Sequence, residues 1–248
     1  MINQETVLNK LDELLSRNNY SAAKEHLLYW LETAEKEADE KSILLISNEL
    51  MGLCRKLGEK EEALRYAEKA LDRIKLMNIE NNVGAATTYL NSATVYKAFG
   101  MAEKSVPLFE KAKNIYEEKL PPSDPRKAGL YNNMALSLVD LCRFTEAKEL
   151  YEKAISVLQK NENKKPEEAI TYLNLASAAE AEFGLEEGEN KISSYLNKAM
   201  ELLDDEKNIR DGNYAFVCEK CASVFGYFGY FGYENELVKR YRSIYERS

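Results

Sequence analysis

The feature that most constrains this chain is a register of small and aromatic residues repeating every 42 positions. Ala63, Ala67 and Ala70 stand four and three apart; Ser105, Phe109 and Ala112 repeat the pattern 42 residues later, and Ala147, Tyr151 and Ala154 after another 42. Upstream in each unit a second small residue keeps the same step: Ala93, Ala135 and, one residue short, Ala176. Self-similarity at a fixed period of roughly 20–50 residues marks a stacked repeat. The apolar spacing i, i+3, i+4, i+7 makes each unit a pair of helices. Such a unit cannot bury its apolar face alone, so neighbouring pairs must stack.

The stretch LYNNMALSLVDLCRFTEAKELYEKAISVL (residues 130–158) shows the unit most clearly. A small residue in a first helix, then Ala-x3-aromatic-x2-Ala in a second, resembles the tetratricopeptide repeat. The 42-residue period, with YNNMAL opening a helix after KLPPSDPRKA, is similar to the longer repeats of kinesin light chains and their bacterial relatives. The resemblance implies an all-α, right-handed α-solenoid whose first helices line the concave face and whose role is to bind a protein or peptide. It specifies a fold far better than a function.

Six pairs are expected, twelve helices in one domain over 1–248, with repeats near 4–38, 42–77, 82–119, 127–161, 167–204 and 211–247. Gly58 and Gly100 punctuate two within-pair turns, and Asn18–Asn19 end the first helix. The segment LPPSDPR (120–126) holds three of the five prolines and cannot be helical throughout. The fifth pair is expected as 167–183 and 188–204 around a longer turn, GLEEGENK, and the sixth as 211–226 and 234–246. Trp30 reads as a core filler at the first junction.

Charge narrows the function classes. With 34 basic and 42 acidic residues the net charge is −8, which argues against general affinity for nucleic acid. MINQETVLNK has no basic region followed by an apolar run, so no signal peptide is read there. No run approaches the ~20 apolar residues that span a bilayer. Cys54, Cys142, Cys218 and Cys221 look like reduced thiols of a cytoplasmic protein.

The sharpest candidate site is a row of asparagines. Asn91, Asn133 and Asn174 occupy one place in three successive first helices, two residues before the small packing residue. An asparagine amide both donates and accepts, so it can hold the backbone of an extended peptide without reading its side chains. Packed helices lie ~8–10 Å apart and an extended chain rises about 3.3 Å per residue, so rungs would meet every third peptide residue. The alternative is that these amides bond the neighbouring helix. Asn48, Arg55, Lys97, Asn132 and Glu180 share the inward rotation. The family's clamp for a terminal carboxylate places lysine and arginine beside such asparagines; Leu90, Asn132 and Leu173 stand there instead.

Other motifs carry less. CEKC (Cys218 to Cys221) is a zinc or redox half-site at most, since a structural zinc needs four ligands and His26 is the lone histidine. No nucleophile motif or carboxylate pair is visible, so neither an enzyme nor a cofactor or metal is expected. The aromatic run GYFGYFGY (226–233) reads as a last turn plus core, or as an end that pairs with a second copy. Two readings therefore stand: a peptide-binding adaptor or regulator using the concave groove, and a scaffold self-associating, as a homodimer, through its C-terminal repeat.

Overall fold

A computed structural model describes residues 2–161 and 163–247. Glu162, in the polar linker expected before the fifth pair, lies outside the described residues, as do Met1 and Ser248. The described residues form eleven helices: α1 (Gln4–Ser16), α2 (Tyr20–Lys36), α3 (Glu40–Leu57), α4 (Lys60–Leu76), α5 (Val83–Ala98), α6 (Ala102–Lys119), α7 (Pro125–Asp140), α8 (Phe144–Leu158), α9 (Lys165–Asp204), α10 (Gly212–Tyr227) and α11 (Phe231–Tyr245). The ninth is broken at Gly184, whose backbone (φ 76°, ψ 174°) is not helical. Its two arms are the two members of the fifth pair. The long GLEEGENK turn therefore shrinks to one residue, because glycine alone reverses the chain there and the helix resumes at once.

Two compact units divide the chain, Met1–Leu120 and Pro121–Ser248. In the first, α1/α2, α3/α4 and α5/α6 pair, and α3 also packs on α2 and α5. In the second, α7/α8 and α10/α11 pair, and α9 packs on α7, α8 and α10. The residues of the repeat register are the buried ones. Ala63, Ala67, Ala70, Phe109, Ala112, Ser105, Tyr151 and Ala154 are fully buried, as are Ala93, Ala135 and Ala176. Small side chains at these places let helix backbones approach closely. Trp30 is half-buried against the first unit's core, edge-on to Tyr29 at 5.3 Å.

The two kinds of junction use different chemistry. First helices other than the leading arm of α9 begin behind an acidic or amide cap: Asn3, Asp39, Asn82, Asp124 and Asp211 each accept a backbone N–H near their helix start. Each such cap satisfies one of the four orphan donors of a helix N-terminus. The second helices α4, α6, α8 and α11 have no side-chain cap. They follow a left-handed residue, as α3 also does behind Ala38 (φ 52°), while α2 has both a left-handed residue before it and the Asn19 cap. Gly58 (φ 76°), Gly100 (φ 73°), Cys142 (φ 57°) and Gly184 (φ 76°) recur every 42 positions, with Asn18 (φ 54°) and Gly229 (φ 83°) in the terminal pairs. At Gly58 the helix closes through Gly58 N–H to Arg55 C=O (3.2 Å) and Glu59 N–H to Cys54 C=O (2.9 Å). The same two bonds recur at Gly100, Cys142 and Gly229. This double closure satisfies the last carbonyls and turns the chain in few residues.

Candidate functional site: amide clamps between first helices

Each unit contains one clamp joining two first helices. In the first unit Asn91 Nδ2 on α5 donates to Asn48 Oδ1 on α3 at 3.2 Å. Asn48 Nδ2 donates back to Thr88 Oγ1 on α5 at 3.0 Å and to the Leu44 carbonyl at 2.9 Å. Thr88 passes its own proton to the Gly84 carbonyl at 3.3 Å. The second unit repeats the circuit. Asn174 Nδ2 on α9 donates to Asn132 Oδ1 on α7 at 3.3 Å, Asn132 Nδ2 to Thr171 Oγ1 at 2.9 Å, and Thr171 to the Glu167 carbonyl at 3.5 Å.

The circuit sorts the asparagines. Asn48 has spent both donors and its oxygen accepts from Asn91, so it positions. Asn91 and Asn174 each spend one N–H, and their carbonyl oxygens have no partner among the described residues. Asn133 points differently: its amide donates to the Gly129 carbonyl of its own helix at 2.9 Å. Arg55 is exposed in the last turn of α3, Lys97 is half-buried in the last turn of α5, and Glu180 accepts the Tyr227 hydroxyl. The structure thus joins Asn48 with Asn91 and Asn132 with Asn174, and does not bring Arg55 or Lys97 to either clamp. Thr88 and Thr171 escaped the sequence reading. Their signal was spacing: each lies three residues before its clamp asparagine, on the same helix face.

In the first unit the clamp opens onto a cavity of about 500 Å³. Its floor is a stripe of α3: Lys41, Leu44, Leu45, Asn48 and Glu49, at spacings of three and four that share one helix face. The α4–α5 connection (Met77, Ile79) and α5 (Thr87, Asn91) close the other side. Burial raises the Glu49 carboxyl above its ordinary range, and the charge of Asp12 raises it further.

The remaining candidates are satisfied internally. Cys54, Glu59 and Glu62 place one ligand atom each within 4.8 Å of one another. Lys24 already fills that cluster with its ammonium, 2.7 Å from Glu59 and in contact with Glu62. Burial, and then a hydrogen bond to Glu59, push the Cys54 thiol up to about 12. Cys218 and Cys221 are buried in α10, and burial raises both thiols. In the aromatic run Phe225 and Tyr233 pack edge-to-face at 4.8 Å, and Tyr233 donates to Asp204 at 2.7 Å. Tyr227 and Phe231 are 66% and 64% exposed. Among the described residues no helix is long and apolar enough to cross a membrane.

The tetratricopeptide repeat model matches residues 42–118 and 126–187, more than half of the sequence, and the chain belongs to that family. In fold its repeats are similar to those of solved kinesin light chain-like proteins. A kinesin light chain with TPR-like repeats from Podosopora anserina shares 18% identity over 81% of this chain and 94% of its own, with a TM-score of 0.56. BtubC (BKLC) from P. vanneervenii shares 18% over 92% of this chain and 90% of its own, with a TM-score of 0.60. A Rap protein solved with Competence and Sporulation Factor shares 13% over 96% and 73%, with a TM-score of 0.56. No curated protein matches the chain by sequence.

Proposed function

We propose that the protein is a peptide-binding adaptor or regulator whose first helices hold an extended segment of a partner by its backbone. The observation that carries this reading is the unspent carbonyl oxygen on Asn91 and on Asn174. Each amide is held by the asparagine of the neighbouring first helix, Asn48 or Asn132, which lowers the entropy lost on binding. An oxygen so placed accepts a peptide N–H, and the amide's second N–H donates to a peptide C=O. A Rap protein of similar fold was solved complexed with Competence and Sporulation Factor, which supports a binding role for a solenoid of this kind. Arg55 and Lys97 lie off the clamps and act, in this reading, on flanking residues of the partner.

The test is a displayed library of random 12-residue peptides panned against the full chain. Peptides recovered on the native protein should lose at least tenfold in affinity on the Asn91→Ala/Asn174→Ala variant. Equal affinity on both proteins rules the clamp out as the binding element.

A second reading, self-association through the C-terminal pair, rests on Tyr227 and Phe231, large aromatic surfaces left in solvent. Sedimentation of the full chain decides it: a monomer at high concentration removes it.

A further inference from the structure

Glu49 is a carboxylate with no counter-charge. It stands half-buried on the α3 stripe that floors the first unit's cavity, and among the described residues it makes no hydrogen bond and no ion pair. The nearest charge influencing it is Asp12 of α1, which has the same sign. The cavity's own cation, Lys41, lies two turns away on the same helix, about 12 Å by helix rise. Other carboxylates at helix junctions of this unit do have a cation: Glu59 is paired with Lys24, and Glu40 with Arg73 at 3.0 Å. A desolvated carboxylate left alone is unfavourable unless something arrives to pair with it.

What arrives must be cationic and carry an apolar stem. Between Lys41 and Glu49 the stripe presents Leu44 and Leu45, and Met77 and Ile79 face them from the α4–α5 connection. A lysine or arginine side chain buries methylenes along such a surface and keeps its charged head at one end. Asn91 lines the same cavity, and its carbonyl oxygen takes the peptide backbone in this reading. Beyond Glu49 the stripe continues to Gly52, where an added side-chain carbon would meet nothing within 4 Å. The floor therefore stays open past the carboxylate, so a bound chain can continue in that direction and a free amino terminus is not required.

We infer that the first unit's cavity is a pocket for a basic side chain of the bound peptide, with Glu49 as its counter-ion and Leu44, Leu45, Met77 and Ile79 as the walls for its stem. This rests on the peptide-binding reading above and adds the partner's chemistry to it. Lys41, at the opposite end, repels a second basic residue and favours an acidic or neutral one there.

The experiment uses the full chain and fluorescent 10-residue peptides from a randomised pool, acetylated and amidated at their ends. Each recovered sequence is resynthesised with its basic residue replaced by citrulline or norleucine, and again with a free amino terminus. The expected result is enrichment of Lys or Arg, a loss of at least tenfold on replacement by either neutral analogue, and no gain from the free terminus. Glu49→Gln should lower affinity for the basic peptides to the level of the citrulline peptides, with unchanged thermal unfolding. Glu49→Lys should turn the preference towards acidic peptides. Recovered peptides lacking basic residues, or bound equally by the native and Glu49→Gln proteins, overturn the pocket while leaving the backbone clamp standing. Tighter binding of a free amino terminus than of a basic side chain also overturns it. Recovery of no peptide at all overturns both.

Discussion

The amide of Asn91 reaches 3.2 Å to Oδ1 of Asn48, and the bond is copied at 3.3 Å between Asn174 and Asn132. Each bond spans one repeat of sequence and joins two first helices. It couples the placement of the Asn91 and Asn174 amides to the packing of the neighbouring first helix. Removing Asn48 should therefore cost stability and removing Asn91 should cost binding. Asn48→Ala takes away a partner from Asn91, Thr88 and Leu44 and should destabilise by about 1–3 kcal/mol. Asn91→Ala should cost under about 1 kcal/mol, because Asn48 keeps both of its own donor bonds. Urea unfolding of the two variants and their double mutant measures this; equal costs for the two single changes would mean that the sorting of roles is wrong.

Cys142 has a positive φ (57°) at the place where its counterparts Gly58 and Gly100 take one without a side-chain penalty. For a residue with a Cβ that conformation costs roughly 1–2 kcal/mol. The thiol is exposed and removing it opens no cavity. Cys142→Gly should stabilise by about 1 kcal/mol, less the extra chain entropy that glycine brings to the unfolded state. Gly58→Ala should destabilise by about the same. Thermal melts of both variants check the pair; movement in the same direction would contradict the strain argument.

Tyr151 is fully buried and its hydroxyl has no partner among the described residues. Phe109 fills the equivalent place one repeat earlier with no hydroxyl at all. Tyr151→Phe should therefore be neutral or stabilise by about 1 kcal/mol, because it deletes an unsatisfied buried group. A loss beyond 1 kcal/mol by chemical denaturation would show that the hydroxyl is bonded, for instance to a water in the adjoining space of about 60 Å³.

Alkaline pH should unfold the first unit through Cys54. Its thiol is held up to about 12 by burial and Glu59, against an ordinary value of 9.0. Between those values the unfolded chain releases the proton and the folded chain keeps it. Stability is thus full below pH 9 and falls as pH rises towards 12, by up to about 1.4 kcal/mol per unit from this one group. Lys24 acts in the same direction: burial lowers its pKa, but its bonds to Glu59 and Glu62 more than offset that, and its contribution fades only at higher pH still. Stability of native and Cys54→Ala proteins, measured from pH 8 to 11, should converge as pH rises. Parallel profiles would mean that the thiol does not titrate in this window.

The helix pairs and their buried register were legible in sequence because packing imposes it. Ala67, Phe109 and Tyr151 repeat for the same reason that they are buried. The turns were half legible. Glycines at 58 and 100 announce a left-handed residue, whereas a cysteine at 142 does not, and only the 42-residue step connects them. The clamp was the least legible part. Asn132 and Asn133 are adjacent, and one residue along a helix is a rotation of about 100°. Strict alignment to Asn91 selects Asn133, yet the bond to the next helix is made through Asn132. Asn133 turns back to Gly129 instead. The counterpart of Asn132 is Asn48, two full 42-residue periods earlier, and a row drawn through Asn91 alone misses that pairing. Glu49 was invisible for another reason: a charge on a helix reads as solvated until its neighbours are known to be uncharged or like-charged.

The even interval between the left-handed positions has an architectural consequence. Excision of residues 59–100 would bring Gly58 directly before Met101, and the new junction would carry the hinge glycine and the unaided helix start that the flanking sequence already uses. The same holds for inserting a second copy of that stretch. Each seam is a ready splice point, so the chain can gain or shed whole cassettes without a new turn having to be invented.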